Sequence, residues 1–262
     1  MSPVYLALSG TAFTFASTVL GAATVFLFRK HIAQRVQRIF LGFAAGVMIA
    51  ASVWSLLIPA MEMAQEQNMH PCWLPATGGF ALGGLFLLAL DRLLPCMQAD
   101  ARAQESAKSS FARTTTLVLA VTLHNIPEGL AVGLACALAS ESSAISISGA
   151  LALSTGIALQ NFPEGAAVSL PLKKEGLSNA RSFLLGVLSG VVEPIAGVAA
   201  VLISGSVTCV MPWLLAFAAG AMIYVVVEEL IPEANIGHYS HTGTLSVMAG
   251  FLVMMVLDVA LS

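Results

Sequence analysis

His124-Asn-Ile-Pro-Glu-Gly-Leu-Ala-Val132 and Gln160-Asn-Phe-Pro-Glu-Gly-Ala-Ala-Val168 are one nine-residue phrase written twice, identical at six of nine positions. Each lies inside a long apolar run, roughly 114–138 and 144–172. Short Gly/Ala-rich segments resemble each other by chance. Asn, Pro and Glu are uncommon in such surroundings, so chance does not account for this pair. An ionised side chain at the centre of an apolar span costs about 2.5–3.5 kcal/mol on the insertion scale. A chain that places the same costly residues twice has a use for them.

Composition gives the surroundings. The 262 residues are 58% hydrophobic and 10% charged, against about 25% charged in soluble domains. Most of the surface must therefore face something other than water. The net charge of −3 leaves no basic footprint for nucleic acid. Cys72, Cys96, Cys136 and Cys209 form no C-x-x-C pair, so no zinc ribbon or thioredoxin-like motif is present. Disorder and an ordinary cytosolic enzyme are excluded on the same ground. The chain reads as a polytopic membrane protein.

A helix needs ~20 apolar residues to cross a bilayer. Eight stretches qualify, roughly 4–28, 37–63, 73–94, 114–138, 144–172, 182–206, 210–231 and 243–261. They are continuous rather than alternating, which selects helices over a barrel. The first has no basic n-region and is too long for an h-region, so it reads as a span and not a cleaved leader. Every Lys and Arg falls between or beside helices 1 and 2, 3 and 4, or 5 and 6. The positive-inside rule makes those connections cytoplasmic and puts both termini outside. The expectation is one transmembrane domain over 1–262, with a mobile cytoplasmic loop at about 95–113. Asp91 and Arg92 read as an interfacial pair closing helix 3.

A second repeat supports the first. Phe43-Ala-Ala-Gly-Val-Met-Ile49 recurs as Phe217-Ala-Ala-Gly-Ala-Met-Ile223, and both segments then reach Leu-Ile-Pro, at Pro59 and Pro232. Helices 2 and 7, and helices 4 and 5, run in opposite directions, so each repeat is inverted in the membrane. Inverted repeats around a midplane site are a transporter signature.

The polar motifs of three helices fall at nearly one depth. At 1.5 Å per residue, His124 lies about 16 Å beyond Arg113, Glu164 about 14 Å before Lys173 and Glu193 about 18 Å beyond Arg181. His124 and Glu128 share a helix face, as do Gln160 and Glu164. Asn125 and Asn161 sit one residue round. Pro127 and Pro163 free the carbonyls of Leu123 and Leu159 and invite kinks. Gly129 and Gly165, each following a Glu, allow another backbone to approach. Three negative charges meeting in hydrocarbon repel one another, and a bound cation removes that cost. One imidazole, three carboxylates and three amides suit a borderline divalent metal such as Zn(II) or Fe(II). The alternative is a buried hydrogen-bond network without an ion, poorly compensated for want of Lys or Arg.

The H-N-x-P-E-G of helix 4, the Q-N-F-P-E-G of helix 5 and Glu193-Pro194 of helix 6 resemble the ZIP family of divalent-metal transporters. The Q-N-F-P-E-G variant and Ser169-Leu-Pro-Leu172 resemble its GufA-like branch. The resemblance covers essentially the whole chain. It implies an all-α bundle of eight transmembrane helices in a 3+2+3 inverted-repeat arrangement, and a binuclear transport site. One ion would be held by His124, Glu128, Gln160 and Glu164. Its neighbour would use Asn125, Asn161, Glu164 and Glu193, with Glu128 able to bridge. Some members carry Asp at the position of Asn161, so the amide here makes the pair one charge less negative. Gln160 replaces a His of other members, which suggests a softer grip on the first ion.

Glu62 marks the outer mouth, followed by Glu66, Met69, His70 and Cys72, a segment that also reads as a solvated loop. At the inner mouth the resemblance supports a metal position at Glu228 and Glu229, with Glu233, His238 and His241 nearby. It also implies that helices 1, 4, 5 and 6 move against helices 2, 3, 7 and 8. Gly42, Gly46, Gly79, Gly83, Gly84 and Gly220 line candidate sliding surfaces or serve ordinary close packing. The expected activity is movement of zinc, or of iron, manganese or cadmium, into the cytoplasm by alternating access. No prosthetic group is expected. A bacterial inner membrane is the expected location. The expected partners are the ions and the lipid, with a homodimer the assembly to look for. A metal-selective channel and an intramembrane metalloenzyme are the rival readings. No Walker A sequence is present, so ATP does not drive it directly.

Overall fold

The computed structural model describes residues 2–27, 34–103, 109–141, 145–204, 208–235 and 241–261. Arg29, Lys30, Lys108 and His238 lie outside the described residues. The helices are α1 (Pro3–Leu27), α2 (Gln34–Ala51), α3 (Ile58–Glu66), α4 (Trp73–Ala103), α5 (Ser109–Glu141) and α6 (Ile147–Lys174). They continue as α7 (Asn179–Gly190), α8 (Val192–Ser204), α9 (Met211–Val225), α10 (Ile231–Asn235) and α11 (Thr242–Leu261). Ser146 and Ser178 cap α6 and α7, accepting from Gly149 N at 2.9 Å and Arg181 N at 3.4 Å. Such caps satisfy amides that would otherwise be orphaned.

The exterior is apolar, and a set of polar groups is buried within the core. Leu20, Leu202 and Val259 are 63%, 63% and 67% exposed, whereas Thr11, Thr14, Asn125, Glu128, Gln160, Asn161 and Glu193 are buried. That inversion suits lipid. Among the described residues seven helical stretches are long and apolar enough to cross a membrane. The eighth expected stretch forms the 28-residue α6. It falls short on apolarity because it carries Gln160, Asn161, Pro163 and Glu164 and ends on Lys173 and Lys174. Helix also occupies most of the expected 95–113 loop, since α4 runs to Ala103 and α5 begins at Ser109. The residues there are rich in Ala, Gln, Met and Arg, strong helix formers whatever their polarity.

α5 and α6 run uninterrupted through Pro127 and Pro163. Their flanks are held from outside, α6 by α1 at Gly21 and Gly165, α5 by α8 at Gly129. The irregularities lie elsewhere. A π-helical turn, Ser52–Leu57, joins α2 to α3 ahead of Pro59, and another, Val226–Leu230, joins α9 to α10 ahead of Pro232. A break at Val191 precedes Pro194. In each case the proline cannot bond to the carbonyl four residues back, at Ser55, Glu228 or Gly190, and the preceding turn widens or ends.

Four helix pairs pack backbone to backbone through reciprocal glycines. Gly21 approaches Phe162 O while Gly165 approaches Thr18 O, joining α1 to α6. Gly46 approaches Val247 O while Gly250 approaches Phe43 O, joining α2 to α11. Gly83 approaches Phe217 O while Gly220 approaches Phe80 O, joining α4 to α9. Gly129 approaches Glu193 O while Gly197 approaches Gly129 O, joining α5 to α8. The α2/α11 and α4/α9 contacts repeat each other residue for residue, since Phe43 and Phe217 are the matched positions of the sequence repeat. The glycines read as sliding surfaces (Gly42, Gly46, Gly79, Gly83 and Gly220) therefore fasten helices within one half of the bundle. Gly84 has more room.

The repeat extends to two aspartates, each eight residues beyond its glycine. Asp258 on α11 accepts from Ser55 Oγ at 2.6 Å. Asp91 on α4 lies near Tyr224 and beside Glu229. Cys72, Cys136 and Cys209 are free thiols.

Candidate functional site

The two copies of the motif meet at the centre. Gln160 Nε2 donates to Glu128 Oε1 at 2.8 Å, so α6 faces α5 across the fully buried pair. Asn125 Nδ2 donates to Ser189 O at 2.8 Å, and its repeat counterpart Asn161 donates to Thr14 O at 3.4 Å. Asn161 Nδ2 also reaches Glu193 Oε2 at 2.8 Å. Each amide nitrogen is thereby committed to a fixed acceptor, and each amide oxygen points the other way.

Among the described residues those oxygens have no hydrogen-bond donor. Asn125 Oδ1, Gln160 Oε1, Asn161 Oδ1 and Glu128 Oε2 are all buried and unpartnered. Buried acceptors are normally satisfied. Four such unpartnered acceptors thus lie on α5 and α6, the helices joined by the Gln160–Glu128 bond. Glu164 is half-buried and within electrostatic reach of Glu128, Glu193 and Glu229. The structure thus buries six sequence-selected residues, His124, Asn125, Glu128, Gln160, Asn161 and Glu193, and leaves Glu164 half-buried.

His124 does not mirror Gln160. Its Nδ1 lies 3.4 Å from Glu229 Oε2, in the π-helical turn of the α9–α10 rod. Asp91 completes this second group, in which one ligand atom from each of Asp91, His124 and Glu229 lies within 4.8 Å of the others. Asp91 is half-buried and Arg92 exposed. The expected Asp91–Arg92 pair therefore gives way to an inward-turned Asp91 grouped with His124 and Glu229. Glu62, Glu228, Glu233 and His241 are exposed, outside the buried group.

Sequence reasoning passed over Thr14 and Thr18. Thr14 Oγ1 donates to Glu193 Oε2 at 2.6 Å and Thr18 Oγ1 to Glu193 Oε1 at 3.1 Å. The available signal was a buried polar stripe at helical spacing in α1, at Thr11, Thr14, Thr18 and Gly21. Gly129 and Gly165 behave as expected, each admitting a neighbouring backbone directly after a motif glutamate.

A bundle that is all-helical among the described residues, with apolar faces and buried polar groups at its heart, defines a polytopic membrane protein. The comparisons agree. The ZIP zinc transporter family profile matches residues 95–258. The chain is 37% identical to the zinc transporter ZIP11 of Bos taurus, over 99% of this chain and 98% of the relative. It is 36% identical to the zinc transporter GufA of Myxococcus xanthus, over 97% and 96%. It is 38% identical to the zinc transporter ZIPB of Bordetella bronchiseptica, over 98% and 81%. The chain belongs to the ZIP family.

Proposed function

We propose that this chain carries divalent transition-metal ions, zinc first among them, across a membrane by exposing the α5/α6 site to one side and then the other. The observation that carries the reading is the set of orphaned oxygens on Asn125, Glu128, Gln160 and Asn161. Zinc transport by relatives aligned along nearly the whole chain supports it. Amide and carboxylate oxygens with one imidazole make a borderline donor set that can also take iron, manganese or cadmium.

In this reading α6 is the eighth span, both termini are outside and the 3+2+3 repeats are inverted, so the site sits near the bilayer midplane. The location is the inner membrane of a bacterium. Ions leave the site toward Glu229 and Asp91. His124 links the two groups, sharing a helix face with Glu128 and lying against Glu229. Protons compete with metal for the same ligands, which favours release on an acidified side.

The test is zinc uptake by proteoliposomes without nucleotide. Flux should saturate with zinc, as a carrier requires. Flux rising linearly with concentration would favour a channel, and cleavage of a membrane peptide would favour an enzyme. Glu164→Ala should abolish uptake at unchanged reconstitution, and wild-type flux in that variant would remove the site from the pathway.

A prediction separates the exit group from the central one. Asp91→Asn keeps the side chain's shape but removes a negative charge beside His124 and Glu229. It should lower maximal uptake by ~10-fold, on the scale of losing a supporting partner of a metal site, with little change in the zinc concentration giving half-maximal rate. A change confined to that concentration would place Asp91 on the entry side.

A further inference from the structure

Glu193 differs from every other acidic or amide group at the centre. Both of its carboxylate oxygens are occupied. Oε1 accepts from Thr18, and Oε2 accepts from Thr14 and Asn161. The oxygens without partners belong instead to Asn125, Glu128, Gln160 and Asn161. The two halves of the bundle use their asparagines alike at the backbone, Asn125 on Ser189 O and Asn161 on Thr14 O. Only Asn161 spends its nitrogen on a carboxylate as well.

We propose that Glu193 is a positioning residue, clamped by Thr14, Thr18 and Asn161 to tie α1 and α6 to α8, and that the site carries one divalent ion at a time. This rests on the transport reading above and departs from the two-ion arrangement the family resemblance implies. Charge arithmetic favours it. Glu128 and Glu164 neutralise one divalent ion, and the charge of Glu193 is met by three donors, charge-assisted bonds of the stronger kind. Two divalent ions would bring four positive charges to three carboxylates in an apolar interior, where uncompensated charge is costly. A second ion on Glu193 would also have to displace the Asn161 nitrogen, which is a donor and cannot bind a cation. Asn161 is therefore the residue that sets the ion number. As aspartate it would lose the donor, repel Glu193 and raise the count of carboxylates to four.

The experiment is zinc stoichiometry and affinity on purified full-length protein, by titration calorimetry and by metal analysis after gel filtration. Wild type should bind one ion per chain. Glu193→Gln should still bind one, weakened by ~10–100-fold, as for an outer partner. Asn161→Asp should bind two. Thr14→Val should keep one ion and lose uptake rate, with Thr14→Ser restoring it because the hydroxyl returns. Two ions in wild type falling to one in Glu193→Gln would overturn the proposal. So would one ion falling to none in Glu193→Gln, or a single ion in Asn161→Asp. No zinc binding by well-folded wild type would instead bring down the transport reading, and this assignment with it.

Discussion

Glu128→Ala should abolish zinc uptake, with zinc affinity falling by more than ~100-fold, beyond what loss of an outer partner costs. Glu128 is fully buried, and its side chain does two things at once. Oε1 holds the Gln160 amide at 2.8 Å and so fixes which way the Gln160 oxygen points. Oε2 is one of the orphaned acceptors. Removing the carboxylate deletes a charged ligand, frees a neutral one to rotate and leaves a buried amide donor unpartnered. Glu128→Gln separates these effects. It keeps the volume and an acceptor for Gln160 but removes the charge, so it should fold as wild type and still fail to transport. Uptake and melting temperature measured together decide the matter. Wild-type flux through Glu128→Gln would mean that the ion does not depend on charge at this position. Lost flux together with a lower melting temperature in both variants would assign Glu128 to folding.

The central residues were legible because their types are rare in hydrocarbon. A glutamate and an asparagine flanking a proline announce themselves within an apolar run, and helical spacing then says which share a face. Thr14 and Thr18 did not stand out. A threonine within a helix satisfies itself on its own backbone, as Thr11 does on Ala7 O at 2.7 Å. Its presence in a span therefore carries no message until a carboxylate is seen opposite. Asp91 was hidden by Arg92, since an acid beside a base at a helix end reads as an interfacial pair. Only the fold shows α4 turning the acid inward to Tyr224 and His124. Prolines reveal where a backbone hydrogen bond is lost but not how the loss is absorbed. Pro59 and Pro232 follow π-helical turns, whereas α5 and α6 continue as helix through Pro127 and Pro163. The glycines carried a similar ambiguity. A helical glycine marks a close approach without naming its partner, and Gly46 and Gly83 proved to face other helices of their own half.

That pairing yields the second large effect. Gly83→Ala should destabilise the protein by about 3 kcal/mol, the upper end of ordinary overpacking, whereas Gly84→Ala should be nearly neutral. The two glycines are adjacent on α4. A methyl group on Gly83 would overlap Phe217 O and come within 2.8 Å of Ala221 N. Both are backbone atoms of α9, so no side-chain rotation relieves the clash and the helices must separate. The nearest atom to a methyl group on Gly84 is Gly220 O at 3.9 Å, an ordinary contact. There alanine recovers about 1 kcal/mol of helix propensity, against whatever the new contact changes. Gly250→Ala, the repeat counterpart on α11, meets Phe43 O in the same way and should match Gly83→Ala. Thermal unfolding in detergent checks all three. Equal melting temperatures for Gly83→Ala and Gly84→Ala would contradict the backbone packing of α4 on α9. The consequence reaches the transport path, because α4 carries Asp91 and the rod begun by α9 carries Glu229. Forcing those helices apart parts the two carboxylates that meet His124, so Gly83→Ala should lose uptake even at temperatures where it remains folded, and Gly84→Ala should keep it.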